Sequence, residues 1–232
     1  MAIQAVFFDA AGTLIKTARS VGESYAAIAE KYGIRVVPAD LLQRFHACFD
    51  SSSPLAFPNA QAAAISALEQ AWWKRVVQEV FLPFGPFADF DAYFEELFAY
   101  FARAESWLLY PDASETIRAL SKRGIRLAVV SNFDSRLISI LQGLGVAASL
   151  DGIFVSSSVG YAKPDRRIFD FVLKAQQLSP ERVLHVGDSI RNDIEGAVNA
   201  GMKGILVDRQ GAHQGAENTR IASLQEILDH LD

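Results

Sequence analysis

One cysteine, Cys48, stands among 232 residues, so no internal disulfide can form, and nothing around it suggests a thiolate metal site. It reads as a small buried hydrophobe. No run of about 18 or more apolar residues occurs, which argues against a membrane-spanning helix and a membrane partner. Positive charge is scarce: 22 Lys and Arg face 27 Asp and Glu, for a net charge of −5. A phosphate backbone recruits basic surfaces, so nucleic acid is not an expected partner. The N-terminus enters an apolar segment almost at once, without a charged leader and cleavage site, and the expected compartment is cytoplasmic. Of the histidines, His46, His213 and His230 show no metal-ligand spacing, while His185 falls inside an apolar strand and reads as a core residue.

What remains is a chain that is 50% hydrophobic and 21% charged, the balance of a globular protein with a core of its own. Ala2–Phe8 is apolar and β-rich, a buried strand. From Lys16 to Arg103 the pattern turns helical, with segments Ser20–Tyr32 (ending at Gly33), Ala39–Phe49, Ala60–Phe81 and Phe90–Arg103. Breaks fall at Ser51–Pro54, Phe57–Asn59 and Pro83–Pro86. From Pro111 onward strands and helices alternate. Asp112 caps a helix running to Arg123, and Ile125–Val130 is a strand followed by the helix Ser135–Leu144. Then come strand Ile153–Val155, helix Asp165–Gln177, strand Val183–Val186, helix Asn192–Ala200, strand Gly204–Val207 and an amphipathic tail over Ile221–Leu231. This alternation predicts an α/β fold, a Rossmann-like parallel sheet core with a helical cap inserted after the first strand. Residues 1–15 and 104–232 form the core domain and 16–103 the cap.

Residues 45–110 hold 16 of the chain's 25 aromatic side chains, enough to fill the interior of a small helical bundle. Trp72 and Trp73 are adjacent on one helix and must point in different directions, so one of them is a candidate for the seam between insert and core. Asp134, Arg136 and Arg191 read as structural or solvated.

Four short segments fall near the C-terminal rim of this sheet, where open α/β folds build their sites. They are Asp9-Ala10-Ala11-Gly12-Thr13, Ser131-Asn132, Lys163-Pro164-Asp165 and Gly187-Asp188-Ser189-Ile190-Arg191-Asn192-Asp193. In this order and on these elements they resemble the motifs of the haloacid dehalogenase superfamily, which is mostly phosphatases. Within it, Val21–Tyr25, Phe57-Pro58-Asn59 and Trp72–Val77 resemble the "rhythmically expressed gene 2"-like group, also described as haloacid-dehalogenase-like hydrolase domain proteins.

The resemblance implies that Asp9 attacks phosphorus, dividing one hard displacement into two easier ones through an aspartyl phosphate. Two anions approach each other poorly, so Mg²⁺ is the implied cofactor, held by hard oxygens. Its implied ligands are Asp9, Asp188 and the backbone carbonyl of Ala11, with Asp193 behind them. Lys163 supplies a point charge to the phosphate and keeps Asp9 ionised. Thr13, Ser131 and Asn132 are the other implied phosphate-binding residues, the last two close to a helix start.

Position 11 departs from the pattern, because typical phosphatases of the superfamily carry there a second Asp that protonates the leaving alkoxide. A positioned acid/base contributes roughly 10²–10⁴-fold, so a group from the insert, a leaving group that needs no proton, or a role other than turnover must account for Ala11. Phosphonatases share the Asp-x-Ala-Gly-Thr pattern but need a cap lysine, and this chain has Phe49-Asp50-Ser51 where it would fall. The 2-haloacid dehalogenases lack the Gly187-Asp188 pair. The expected function is a Mg²⁺-dependent hydrolase of a small phosphorylated metabolite; the alternative is a phospho-ligand-binding protein with little turnover. Oligomeric state stays open.

Overall fold

The computed structural model describes residues 2–213 and 219–231. The chain opens with β1 (Ala5–Phe8), leaves the sheet through β2 (Ile15–Thr17), and runs through α1 (Val21–Lys31), α2 (Pro38–Ser51), α3 (Ile65–Phe81) and α4 (Phe90–Phe101). It returns through β3 (Trp107–Leu109) to α5 (Ala113–Lys122), β4 (Arg126–Ser131), α6 (Arg136–Gly143), β5 (Gly152–Val155), α7 (Ser156–Val159) and α8 (Arg166–Gln176). Then follow β6 (Val183–Gly187), a π-helical turn (Ile190–Glu195), α9 (Gly196–Asn199), β7 (Lys203–Val207) and β8 (Arg220–Ile221). Among the described residues no helix is long and apolar enough to cross a membrane.

Six strands form one parallel sheet in the order β5-β4-β1-β6-β7-β8. Because side chains alternate across a strand, β1 splits its bulk between the two faces. Val6 and Phe8 join Leu127, Val129, Leu184 and Val186 on one face, under α5 and α6. Ala5 and Phe7 join Ala128, Val130 and Val183 on the other, under α8 and α9. Coverage of both faces explains why these strands read as continuous apolar runs. Phe8 sits opposite Val129 on one side and Val186 on the other. The residues that follow, Asp9, Ser131 and Asp188, therefore emerge along one rim. The chain moves outward from β1 through β4 and β5, then crosses back to place β6 on the other flank of β1, a switch point that opens a crevice at this rim.

Helices α1–α4 enclose a separate apolar cluster that includes Tyr25, Leu41, Val80, Phe81, Tyr93 and Phe94. Helix α1 starts with a reciprocal capping box: Glu23 N–H donates to Ser20 Oγ and Ser20 N–H to the Glu23 carboxylate. The two connections between this bundle and the sheet pair as the antiparallel ribbon β2–β3, with Ile15 opposite Leu109.

Several local expectations need correction. Asp112 precedes α5 but makes no capping bond; Arg209, Ser223 and the Leu224 N–H take its carboxylate instead. The expected helix over Asn192–Ala200 begins as a π turn at Ile190, and the tail is a short strand followed by the 3-10 turn Leu224–Asp229 rather than one helix.

Trp73 is the seam tryptophan: its indole N–H donates to Asp134 Oδ2 at 2.7 Å. Beside it, Glu69 is only 1% exposed. Its carboxylate accepts from Ser135 N–H at 2.9 Å, Ser135 Oγ at 2.6 Å and Ser157 Oγ at 2.6 Å, joining α3 to the sheet side of the molecule. Removing the acceptor strands three donors in a dry contact. Glu69→Ala should lower the unfolding free energy by about 1–3 kcal/mol in urea titration, and Glu69→Gln, which keeps one acceptor, should lower it less. Unchanged stability in both variants would show that the contact holds nothing.

Candidate active site

Asp9 follows β1 directly, and a tight turn closes behind it. The amide N–H groups of Thr13, Leu14 and Ile15 all donate to the Ala10 carbonyl, and Gly12 N–H donates to that of Ile15, which leaves the Ala11 carbonyl out of the bonds that close the turn. Gly12 adopts φ 91°, and a Cβ there would lie 2.1 Å from Asp188 Oδ2. Only glycine permits both the left-handed backbone and this approach of the Asp188 carboxylate.

Lys163 lies at the centre. Its side chain is 2% exposed, and Nζ sits 2.7 Å from Asp9 Oδ1 and 2.5 Å from Asp193 Oδ1. Ser131 Oγ donates to the same Asp9 oxygen at 3.0 Å, so Asp9 Oδ2 is the oxygen free of a protein donor among the described residues. Asn132 holds the Lys163 backbone from both sides: Nδ2 donates to the Lys163 carbonyl at 2.8 Å, and Oδ1 accepts from its N–H at 2.7 Å. Asp193 accepts from Lys163 on Oδ1, which also lies 2.9 Å from His185 Nε2, and from the Ser189 N–H on Oδ2. His185 is thus the buried core histidine its strand position suggested.

Asp9, Asp188 and Asp193 each offer an oxygen within 4.8 Å of the others. Burial lifts the Asp9 carboxyl above its ordinary range against the pull of Lys163, with the nearby Asp193 charge adding to the rise. Burial would also raise Asp193, but Lys163 and His185 outweigh it and hold that carboxyl well below the usual range. Burial pushes His185 down, which favours its neutral form. Asp188 is open to solvent at the mouth, yet limited hydration and then the charges of Asp9 and Asp193 push it up to about 7. Three carboxylates facing one ammonium are an under-neutralised set of hard oxygen donors, which suits a small divalent cation.

A cavity of about 250 Å³ opens over these groups. Asp9, Ala11, Ser131, Asn132, Lys163, Asp188 and Asp193 line its sheet side, so the structure brings together every predicted site residue except Thr13. Thr13 lies in the turn but wholly buried, its hydroxyl without a partner among the described residues and outside the cavity lining. The insert supplies the opposite wall: Phe49, Ser52, Ser53, Pro54, Leu55 and Trp72. Trp72 N–H donates to the Ser53 carbonyl at 2.9 Å, pinning the segment after α2 against α3. The sequence reading names none of these as site residues, although it marks Trp72 as a candidate for the seam, Phe49 as the place where a cap lysine would fall, and a break at Ser51–Pro54.

Residues 3–201 match the haloacid dehalogenase-like hydrolase family, and the chain belongs to it. It is 35% identical over 208 residues to the "Haloacid dehalogenase-like hydrolase domain-containing protein 3" of Bos taurus, covering 86% of this chain and 80% of that protein. The fold is shared by a HAD phosphatase from Thermococcus onnurineus (TM-score 0.71, 22% identity, 99% of this chain and 98% of that one). It is shared equally by the L-2-haloacid dehalogenase from Xanthobacter autotrophicus (TM-score 0.76, 18% identity, 99% of this chain and 100% of that one). One architecture thus serves two chemistries, and the site must decide between them.

The raised Asp188 carboxyl has a consequence for stability. An unfolded Asp, at its ordinary value of 3.8, sheds its proton before the folded one does, so the folded state binds more protons between about pH 4 and 7. Stability should therefore fall as pH rises through that window in the presence of a chelator. Asp188→Asn should flatten part of the fall, read from urea midpoints at about pH 5 and about pH 8. A wild-type slope in the variant would contradict this reading of the cluster.

Proposed function

We propose that this hydrolase is a Mg²⁺-dependent phosphatase of a small phosphorylated metabolite, working through an aspartyl phosphate on Asp9. The observation that carries the proposal is the convergence of Asp9, Lys163 and Asp188 on one cavity whose charge favours a divalent cation. A halide-displacing site has no need of the second carboxylate that Asp188 brings beside Asp9.

Asp9 and Asp188, with the carbonyl of Ala11, would hold the metal, and Asp193 would anchor Lys163 behind them. When bound, Mg²⁺ would offset the negative charge on the transferring phosphoryl group. Ser131 and Lys163 fix Asp9 through one oxygen, which orients the carboxylate and lowers the cost of keeping it ionised. Lys163 and Ser131, with the Asn132 N–H at the end of β4, would receive the phosphate oxygens. Asn132 acts by locking the Lys163 backbone. The helical bundle between residues 16 and 103 would serve as a cap, shielding the cavity from water and selecting the organic portion of the substrate.

Hydrolysis of an activated aryl phosphate should require added Mg²⁺ and fall to background in Asp9→Asn, while that variant keeps its fold by circular dichroism. Phosphate binding without turnover by the wild-type protein would instead establish a phospho-ligand-binding role.

A further inference from the structure

The cavity says more about the substrate than its phosphate. Its titratable lining residues, among those described, are Asp9, Asp188, Asp193 and Lys163. On the phosphatase reading, from which this inference follows, Asp9 is the nucleophile and Asp188 faces the cation. Asp193 is occupied on both oxygens, and Lys163 spends its charge on Asp9 and Asp193. The insert contributes aromatic, aliphatic, proline and serine side chains to this lining but no carboxyl or imidazole. Position 11, exposed at the turn, ends in a methyl group.

We infer that the substrates of this enzyme are phosphate monoesters or mixed anhydrides whose leaving oxygen is a weak base, as in aryl, enol or acyl phosphates, joined to a compact, planar carbon skeleton. In the first step an Asp9 oxygen bonds to phosphorus while the bond from phosphorus to the leaving oxygen breaks. Its electron pair stays on that oxygen, which departs as a resonance-stabilised anion with no proton from the protein. In the second step a water oxygen bonds to phosphorus, the bond to Asp9 breaks with its pair returning to the carboxylate, and the water proton passes to a phosphate oxygen or to solvent. An alkoxide, a far stronger base, could not leave this way at a useful rate. The carbon skeleton follows from the wall opposite Asp9: the rings of Phe49 and Trp72 offer flat apolar surface beside Leu55, and no cation among them invites a second anionic group.

The test compares kcat/KM for aryl phosphates of graded phenol acidity, an acyl phosphate of a small aliphatic acid and an alkyl phosphate, in the wild-type enzyme and in Ala11→Asp. The wild type should show a steep rise with phenol acidity and turn the alkyl ester over at least about 10²-fold more slowly than the best aryl ester. Ala11→Asp, which restores a carboxyl beside the leaving group, should raise alkyl turnover by about 10²–10⁴-fold and so flatten the dependence on leaving-group acidity. A flat wild-type dependence, with alkyl and aryl esters cleaved alike, would overturn the inference while leaving the phosphatase reading intact. Preference for the aliphatic acyl phosphate over every aryl ester would overturn the planar skeleton. Failure to cleave any of them would overturn both readings.

Discussion

The ammonium of Lys163, clasped between Asp9 and Asp193, is the interaction on which the site depends. A buried charge of either sign is costly alone, and here each charge is tolerable because the others are present. The clasp joins residues 154 positions apart in one hydrogen bond and 30 apart in the next, so it can form only when β1, the segment before α8 and the turn after β6 have all reached their places. The fold and the chemistry are therefore specified together: the sheet delivers the carboxylates to one rim, and the lysine fixes their spacing. Behind the clasp, His185 and the Ser189 N–H satisfy both oxygens of Asp193, and Asn132 satisfies the Lys163 backbone, while His185 Nδ1 finds no partner among the described residues.

The helical insert is bound to the same machinery rather than merely resting on it. Helix α3 carries three consecutive roles along one side: Glu69 grips Ser135 and Ser157, Trp72 walls the cavity, and Trp73 meets Asp134. Asp134 in turn holds Arg136, whose guanidinium stacks 3.8 Å from the Phe98 ring centroid of α4. The loop that carries Ser131 and Asn132 therefore feels the position of the insert through two buried polar contacts only a few residues away.

Much of this was legible in the residues. The central strands and most of the helices between them are legible because burial on both sheet faces leaves a plain signature, as in Val6–Phe8 and Leu127–Val130, the helix expected over Asn192–Ala200 being the exception. The family motifs located Asp9, Ser131, Lys163 and Asp188 on one rim because strand ends in a parallel sheet have predictable directions. What escaped has physical reasons. The ribbon β2–β3 is three residues a side, too short for any period to show. Asp112 looked like a helix cap because Asp favours that position, yet Arg209, nearly a hundred residues on, offered a stronger partner. Glu69 lies in helical phase with Ile65, Trp72 and Val76, so a charge on an apolar stripe was visible, but its three donors come from distant segments that no local pattern reveals. The cavity wall likewise depends on how the insert folds over the sheet.

The central claim is that Asp9 itself carries the phosphoryl group between substrate and water. Rapid quenching of the enzyme in acid during turnover of an activated aryl phosphate, followed by peptide mapping by mass spectrometry, addresses it most directly. The account predicts one phosphoryl group on the peptide bearing Asp9, removable by hydroxylamine as befits an acyl phosphate. Steady turnover with that peptide unmodified, or with the label on Ser131 instead, would contradict it.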